Sequence, residues 1–122
     1  MKERDPLTEK IIACAYKVHG ELGPGFSESI YHNALKIALD EQKLKYDTEK
    51  SYKVLFQAKR VGMLRLDLVI EDKVVTELKA LTGNIPAVFE FQVISYLKAS
   101  GLRVGLLINF GNKSCQVRRL MI

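Results

Sequence analysis

Two periodicities divide the chain. Leu7, Ile11, Ala15, Val18 and Leu22 recur at helical spacing, with Lys10, Lys17 and Glu21 off the stripe, so residues 6–22 are predicted to form an amphipathic helix. Asp5 is placed to cap it and Pro6 to take its first position. Gly20-Glu21-Leu22-Gly23-Pro24-Gly25 ends it, and His19 in its last turn reads as structural. A second helix is expected from Ser27 to about Gln42. Phe26 can staple onto Tyr31, Leu35 and Leu39 continue its apolar edge, and Ile30, Ala34, Ile37 and Ala38 widen it. From Lys45 to Gln57 the period falls to two, with Tyr52, Val54 and Phe56 alternating as in a strand. Lys59-Arg60-Val61-Gly62 reads as a turn.

The stretch Arg65–Lys79 carries the most information. Two apolar runs flank Glu71-Asp72-Lys73, the pattern of a β-hairpin. Leu66, Leu68 and Ile70 share one face of the first strand, and Arg65, Asp67 and Val69 share the other. With a three-residue connection Ile70 faces Val74, Asp67 stands opposite Glu77, and Arg65 opposite Lys79. A two-residue loop would send the two acids to opposite faces. Two carboxylates ~4 Å apart repel by roughly 4 kcal/mol at an effective dielectric near 20. Lys79 offsets part of that repulsion, and a hard divalent cation offsets more. The alternative is a solvated strand face with a cross-strand ion pair. Glu28, in the first turn of the second helix, is either an acid well placed for the helix dipole or a third carboxylate able to reach a metal held by the sheet.

Beyond the hairpin, Leu81-Thr82-Gly83-Asn84 is a loop. Pro86 opens a helix over residues 86–100 that places Gln92 and Tyr96 one turn apart on one face, and Gly101 ends it. Val104–Ile108 has the continuous apolar character of a strand buried on both sides. Asn109–Lys113 turns the chain, and Cys115–Met121 is a last, edge strand. The order ααβββαββ describes one α/β domain over residues 1–122, a mixed sheet flanked by helices.

Composition narrows the function classes. No apolar run approaches the ~18 residues that a membrane span needs. The N-terminus lacks a signal-peptide pattern, so a cytoplasmic protein is expected. Cys14 and Cys115 have no metal spacing and suit a reduced pair. The glycines of residues 20–25 do not have dinucleotide-binding spacing. Eight basic and nine acidic residues leave residues 1–50 near neutrality, whereas residues 51–122 carry eleven basic against five acidic. The half that holds the hairpin is therefore the basic half, and a polyanion is a reasonable partner.

Taken together, Asp67, then Glu77-Leu78-Lys79 on the next strand, then a helix with Gln92 and Tyr96, resembles the PD-(D/E)XK nuclease superfamily. Val18-His19, Gly23-Pro24-Gly25 and Gly25-Phe26-Ser27-Glu28-Ser29-Ile30-Tyr31 resemble the signature of its small prokaryotic GxxExxY branch. Tyr96-Leu97-Lys98 and Gly105–Gly111 are similar to that branch's later blocks. The resemblance implies a restriction-endonuclease-like fold and Mg2+- or Mn2+-dependent hydrolysis of phosphodiester bonds. It implies Asp67, Glu77 and the Leu78 carbonyl as metal ligands, with Glu28 as a helix-borne carboxylate. Lys79 would act on the attacking water, Gln92 would position water or phosphate, and Tyr96 would support Gln92. One position departs from the pattern: Phe89 stands where many relatives carry a His three residues before the Gln.

Three readings follow. The first is a nuclease acting on DNA, with RNA second, and of low sequence specificity, since 122 residues leave no room for a separate reading module. The second is a non-catalytic nucleic-acid-binding module that kept the fold. The third is a homodimeric assembly module pairing through the last strand.

Overall fold

The computed structural model describes residues 5–122; residues 1–4, part of the segment read for a leader pattern, lie outside the described residues. The elements are α1 (Pro6–Leu22), α2 (Glu28–Glu41), β1 (Tyr46–Asp47), β2 (Lys50–Phe56), β3 (Lys59–Leu66), β4 (Val69–Ile70), β5 (Val74–Lys79), α3 (Ala87–Ser100), β6 (Val104–Asn109) and β7 (Gln116–Met121). Five strands form a mixed sheet in the order β1-β4-β5-β6-β7, and β2 and β3 form a separate ribbon. This is the α/β, restriction-endonuclease-like arrangement expected, with two strands more than the sequence suggested. Lys45–Gln57 is split by Glu49, at φ 62°, into β1 and β2. The first arm of the hairpin is split by a bend at Asp67 into β3 and β4. No described helix is long and apolar enough to cross a membrane.

The chain divides into two compact units, to both of which β5, β6 and β7 contribute residues. The first comprises residues up to Lys45 with Leu78–Ile85 and Ile108–Arg118. In it, the Asp5 carboxylate accepts the Leu7 N–H at 3.0 Å and Gly23 closes α1 at φ 69°. Ile11, Ala15 and Val18 of α1 are buried, as are Tyr31, Leu35 and Leu39 of α2. Ile30 and Ile37, expected to widen the α2 stripe, are instead exposed, so the buried edge of that helix is narrower than its composition suggests. Ser27 is the N-cap of α2 by backbone position, but its hydroxyl meets Ser29 Oγ rather than the helix backbone. Cys14 and Cys115 are free thiols.

The second unit comprises Tyr46–Glu77, Pro86–Leu107 and Arg119–Ile122. Lys59–Gly62, read from sequence as a turn, belongs to β3; the turn is Gln57-Ala58, with φ 52° and 64°. A two-residue loop with both residues left-handed matches the twist of a hairpin, yet it lacks the usual Asn or Gly and is invisible to composition. The ribbon register runs from Phe56↔Lys59 to Lys50↔Leu66 with a bulge at Val54/Leu55. Arg65 therefore pairs with Ser51 and its guanidinium meets Glu49 at 3.2 Å, so it is not across from Lys79. Leu66, Val69, Val75 and Leu97 form a buried cluster against which Tyr52, Ile94, Tyr96 and Leu102 pack. Gly105 lets α3 lie close to β6: a Cβ there would stand 2.5 Å from Val93 Cγ1. Of the run expected to be buried, Gly105–Ile108 are buried and Val104 is half-buried, and the strand continues into buried Asn109, which the sequence assigned to the turn.

Candidate active site

Asp67, Glu77, Gln92 and Tyr96 all belong to the second unit. The chain leaves the ribbon at Leu66, bends at Asp67 and joins the five-stranded sheet at Val69. The connection from β4 to β5 has three residues, with Glu71 and Asp72 left-handed and Lys73 N–H donating to Ile70 O at 3.0 Å. Ile70 faces Val74 and Val69 faces Val75. The Thr76 N–H donates to Leu68 O at 2.9 Å, so the register persists past the ends of β4. The pairing ends at Leu68, and Asp67 stands at the bend just before it.

Burial of the Tyr96 hydroxyl raises its pKa above 10.0, and the charges of Glu77 and then Asp67 raise it further. Both acids thus act in the same direction on the α3 tyrosine. Tyr96 remains a neutral donor across the physiological range. Gln92 lies one turn before it on α3 and is half-buried. Along β5 the side chains alternate: Leu78 is buried, while Glu77 and Lys79 are half-buried and share the other face. Glu28 is exposed at the first position of α2, in the first unit. Phe89 is half-buried in the first turn of α3. Among the described residues, no group of three or more His, Cys, Asp or Glu side chains gathers as a metal cluster.

Sequence reading missed two supports in the first unit. The sequence marks Tyr31 as the staple partner of Phe26, part of an apolar edge and the tyrosine of the GxxExxY-like stretch, but not as a hydrogen-bonding group. It is fully buried, stacks on Phe110 at 4.7 Å between ring centroids, donates its hydroxyl to Gly23 O and accepts the Phe26 N–H at 3.2 Å. It therefore ties the glycine-rich loop to the helix that bears Glu28. Asn109 and Asn112 were read as turn residues. Asn109 pairs with Leu81 as a peptide would, accepting its N–H at 2.8 Å and donating to its C=O at 2.9 Å. Asn112 does the same to Gly83, at 2.8 Å each way. Both amides also donate to Gln116 Oε1, and the His19 ring nitrogen Nε2 donates to Asn112 O at 2.8 Å. This network fixes the segment that follows Lys79. An apolar-polar pattern cannot reveal it, because the Leu81 and Gly83 partners are backbone groups distant in sequence.

Comparison with curated proteins and with solved structures returned no match. The family model described as the PD-(D/E)XK nuclease superfamily matches residues 5–120, almost the whole length. On that match, this chain belongs to the PD-(D/E)XK nuclease superfamily.

Proposed function

We propose that the protein is a divalent-metal-dependent nuclease of the GxxExxY branch, hydrolysing phosphodiester bonds of DNA, with RNA second, at low sequence specificity. The superfamily match over residues 5–120 carries this reading, with Asp67 at the bend before β4 and Glu77-Leu78-Lys79 on β5. Superfamily nucleases generally use divalent metals, and the donors here suit one. Carboxylates are hard oxygen ligands, and Mg2+ is commonly held by one or two of them together with substrate phosphate. Asp67, Glu77 and the Leu78 carbonyl would hold the ion, with Glu28 assigned by resemblance alone. When bound, the ion would polarise the phosphate and favour ionisation of a water.

The chain's own groups do the rest. Lys79, on the Glu77 face of β5, orients the attacking water, and its ammonium opposes the negative charge that grows on the phosphate in the transition state. Gln92 holds a water or a phosphate oxygen. Tyr96, kept protonated, supports Gln92 from one turn away.

The test is Mg2+ and Mn2+ titration by calorimetry, with cleavage of plasmid and oligonucleotide substrates, on the wild type and on Asp67→Ala and Lys79→Ala. Metal binding and cleavage in the wild type, with both lost in Asp67→Ala and cleavage lost in Lys79→Ala, are expected. Cleavage undiminished in either variant would sink the assignment. Phe89, in place of a polar residue at the start of α3, favours a second reading, a binding module without turnover. That reading predicts DNA binding that persists in chelator and no cleavage under any metal.

A further inference from the structure

The β2–β3 ribbon has a composition that the fold does not require. Residues 50–66 contain five basic side chains and no acid. Those near its base are neutralised: Lys50 pairs with Asp72 and Asp47, and Arg65 with Glu49. Lys53, Lys59 and Arg60, further out, make no ion pair among the described residues. Apolar side chains are exposed there too. Leu55 is 58% exposed, Phe56 63% and Val61 64%. Every residue from 55 to 61 is exposed, so neither face of the distal ribbon is packed.

Register joins the two kinds of residue. Lys53 stands opposite Met63, Leu55 opposite Arg60, and Phe56 opposite Lys59. Opposed residues project from the same side, so each cation has an exposed apolar neighbour. A groove of about 500 Å3 continues this surface, lined by Lys53, Leu55 and Leu64 of the ribbon and by Ser95 and Lys98 of α3, again with no acid. The same helix carries Gln92 and Tyr96.

An exposed apolar ribbon is an aggregation hazard unless charge or a partner covers it. Positive charge without a single acid selects a polyanion over an ordinary protein surface. Shape decides among polyanions. The major groove of B-DNA, ~12 Å wide, admits a two-stranded β-ribbon, whereas the deep, narrow major groove of duplex RNA does not.

We propose that the β2–β3 ribbon is a duplex-DNA-binding arm. Lys53, Lys59 and Arg60 contact phosphates, and Leu55 and Phe56 make apolar contacts within the groove. The inference deepens the nuclease reading by naming its substrate, and rests on that reading only for the cleavage that follows binding.

Binding is measured without metal in the Asp67→Ala background, on a duplex DNA oligonucleotide and its duplex RNA counterpart, across a salt series. Replacing Lys53, Lys59 and Arg60 together by Ala should make the slope of log K against log salt shallower by about 3, because each phosphate contact contributes ~0.9. The charge-keeping set Lys53→Arg, Lys59→Arg and Arg60→Lys should retain the slope. Leu55→Ser with Phe56→Ser should weaken DNA binding at unchanged slope. Circular dichroism shows that each variant is folded. An unchanged slope in the alanine variant, equal or tighter binding of duplex RNA, or no DNA binding at low salt overturns the proposal. Cleavage by the wild type is scored separately. Ribbon-dependent binding without cleavage would sink the nuclease reading and leave the arm, and cleavage with ribbon-independent binding would do the reverse.

Discussion

Gly111 separates a steric from a conformational role for glycine, and its replacement tests the clamp that follows Lys79. A Cβ on Gly111 would lie 2.5 Å from Leu81 C and closer still to Leu81 N and O. Its φ is not in the left-handed region, so an alanine there is opposed by contact alone. Backbone cannot rotate aside as a side chain can, and relief requires the Leu81 peptide to move by about 1 Å. That displacement takes the 2.8 Å and 2.9 Å bonds between Asn109 and Leu81 past the ~3.5 Å at which a hydrogen bond is lost. Asn109 is fully buried, so its amide would be left unsatisfied at ~1–3 kcal/mol for each bond. Gly111→Ala should therefore cost about 3–5 kcal/mol in urea unfolding and lower Tm by more than ~10 °C. The Leu81 amide should lose its protection against hydrogen exchange. Asn109→Ala removes the same two bonds, so the double variant should cost clearly less than the sum of the singles. The matched control is Gly20→Ala. Gly20 is exposed within α1, and nothing lies within 4 Å of its missing Cβ. There alanine should stabilise by roughly 0.5–1 kcal/mol. A Gly111→Ala variant within ~0.5 kcal/mol of wild type, or additive effects with Asn109→Ala, would refute the clamp.

Four further outcomes are expected. Glu77→Gln, and separately Asp67→Asn, should lower the pKa of Tyr96 toward 10.0 without reaching it, because burial, the larger cause, remains; phenolate absorbance reads the shift. The sign extends to stability. A raised tyrosine pKa stabilises the folded state below the unfolded value and loses that contribution as pH rises through the folded one, so alkaline unfolding should start at lower pH in the wild type than in either variant. Burial holds the Cys115 thiol up at about 11, which leaves roughly a hundredfold less thiolate at pH 8 than an ordinary cysteine, and its alkylation by iodoacetamide should be slower in proportion. Ala58→Gly should raise stability by about 0.5 kcal/mol in thermal melts, since glycine escapes the left-handed penalty at φ 64° and gives back part of the gain as chain entropy.

How much of this was legible depended on where the determining partners lie in sequence. The bounds of α1 and α3 could be read because Asp5, Pro6, Pro86 and Gly101 signal them locally. The three-residue connection of β4 to β5 could be read because Glu71-Asp72-Lys73 stands between two apolar runs. The ribbon turn was misread because Gly62, a usual turn residue, lies inside β3, while the true turn is Gln57-Ala58. Arg65 was assigned to the wrong partner for a related reason. Alternation fixes which face a residue occupies but not which strand it pairs with, and β3 stays with β2 as far as Leu66. The side-chain clamps of Asn109, Asn112 and Tyr31 depend on backbone groups 5 to 29 residues away, and no periodicity encodes them.

The misread strand changes the argument for the site. Had Arg65–Ile70 been one strand, a single register would fix Asp67, and a slip of one residue would carry it to the other face. Instead two registers end on either side of it: Lys50↔Leu66 in the ribbon and Val69↔Val75 in the sheet. Asp67 occupies the bend where the chain passes from one to the other, held by the buried side chains of Leu66 and Leu68. The carboxylate is thus exposed on a backbone fixed from both sides, the preorganisation that an electrostatic site requires. Inserting one glycine between Asp67 and Leu68 tests this. Both registers can survive the insertion, so the fold should hold by circular dichroism. The acid, displaced by one residue from Glu77, should lose its influence on the Tyr96 titration. A Tyr96 pKa that stays as high as in the wild type would show that the bend does not place Asp67.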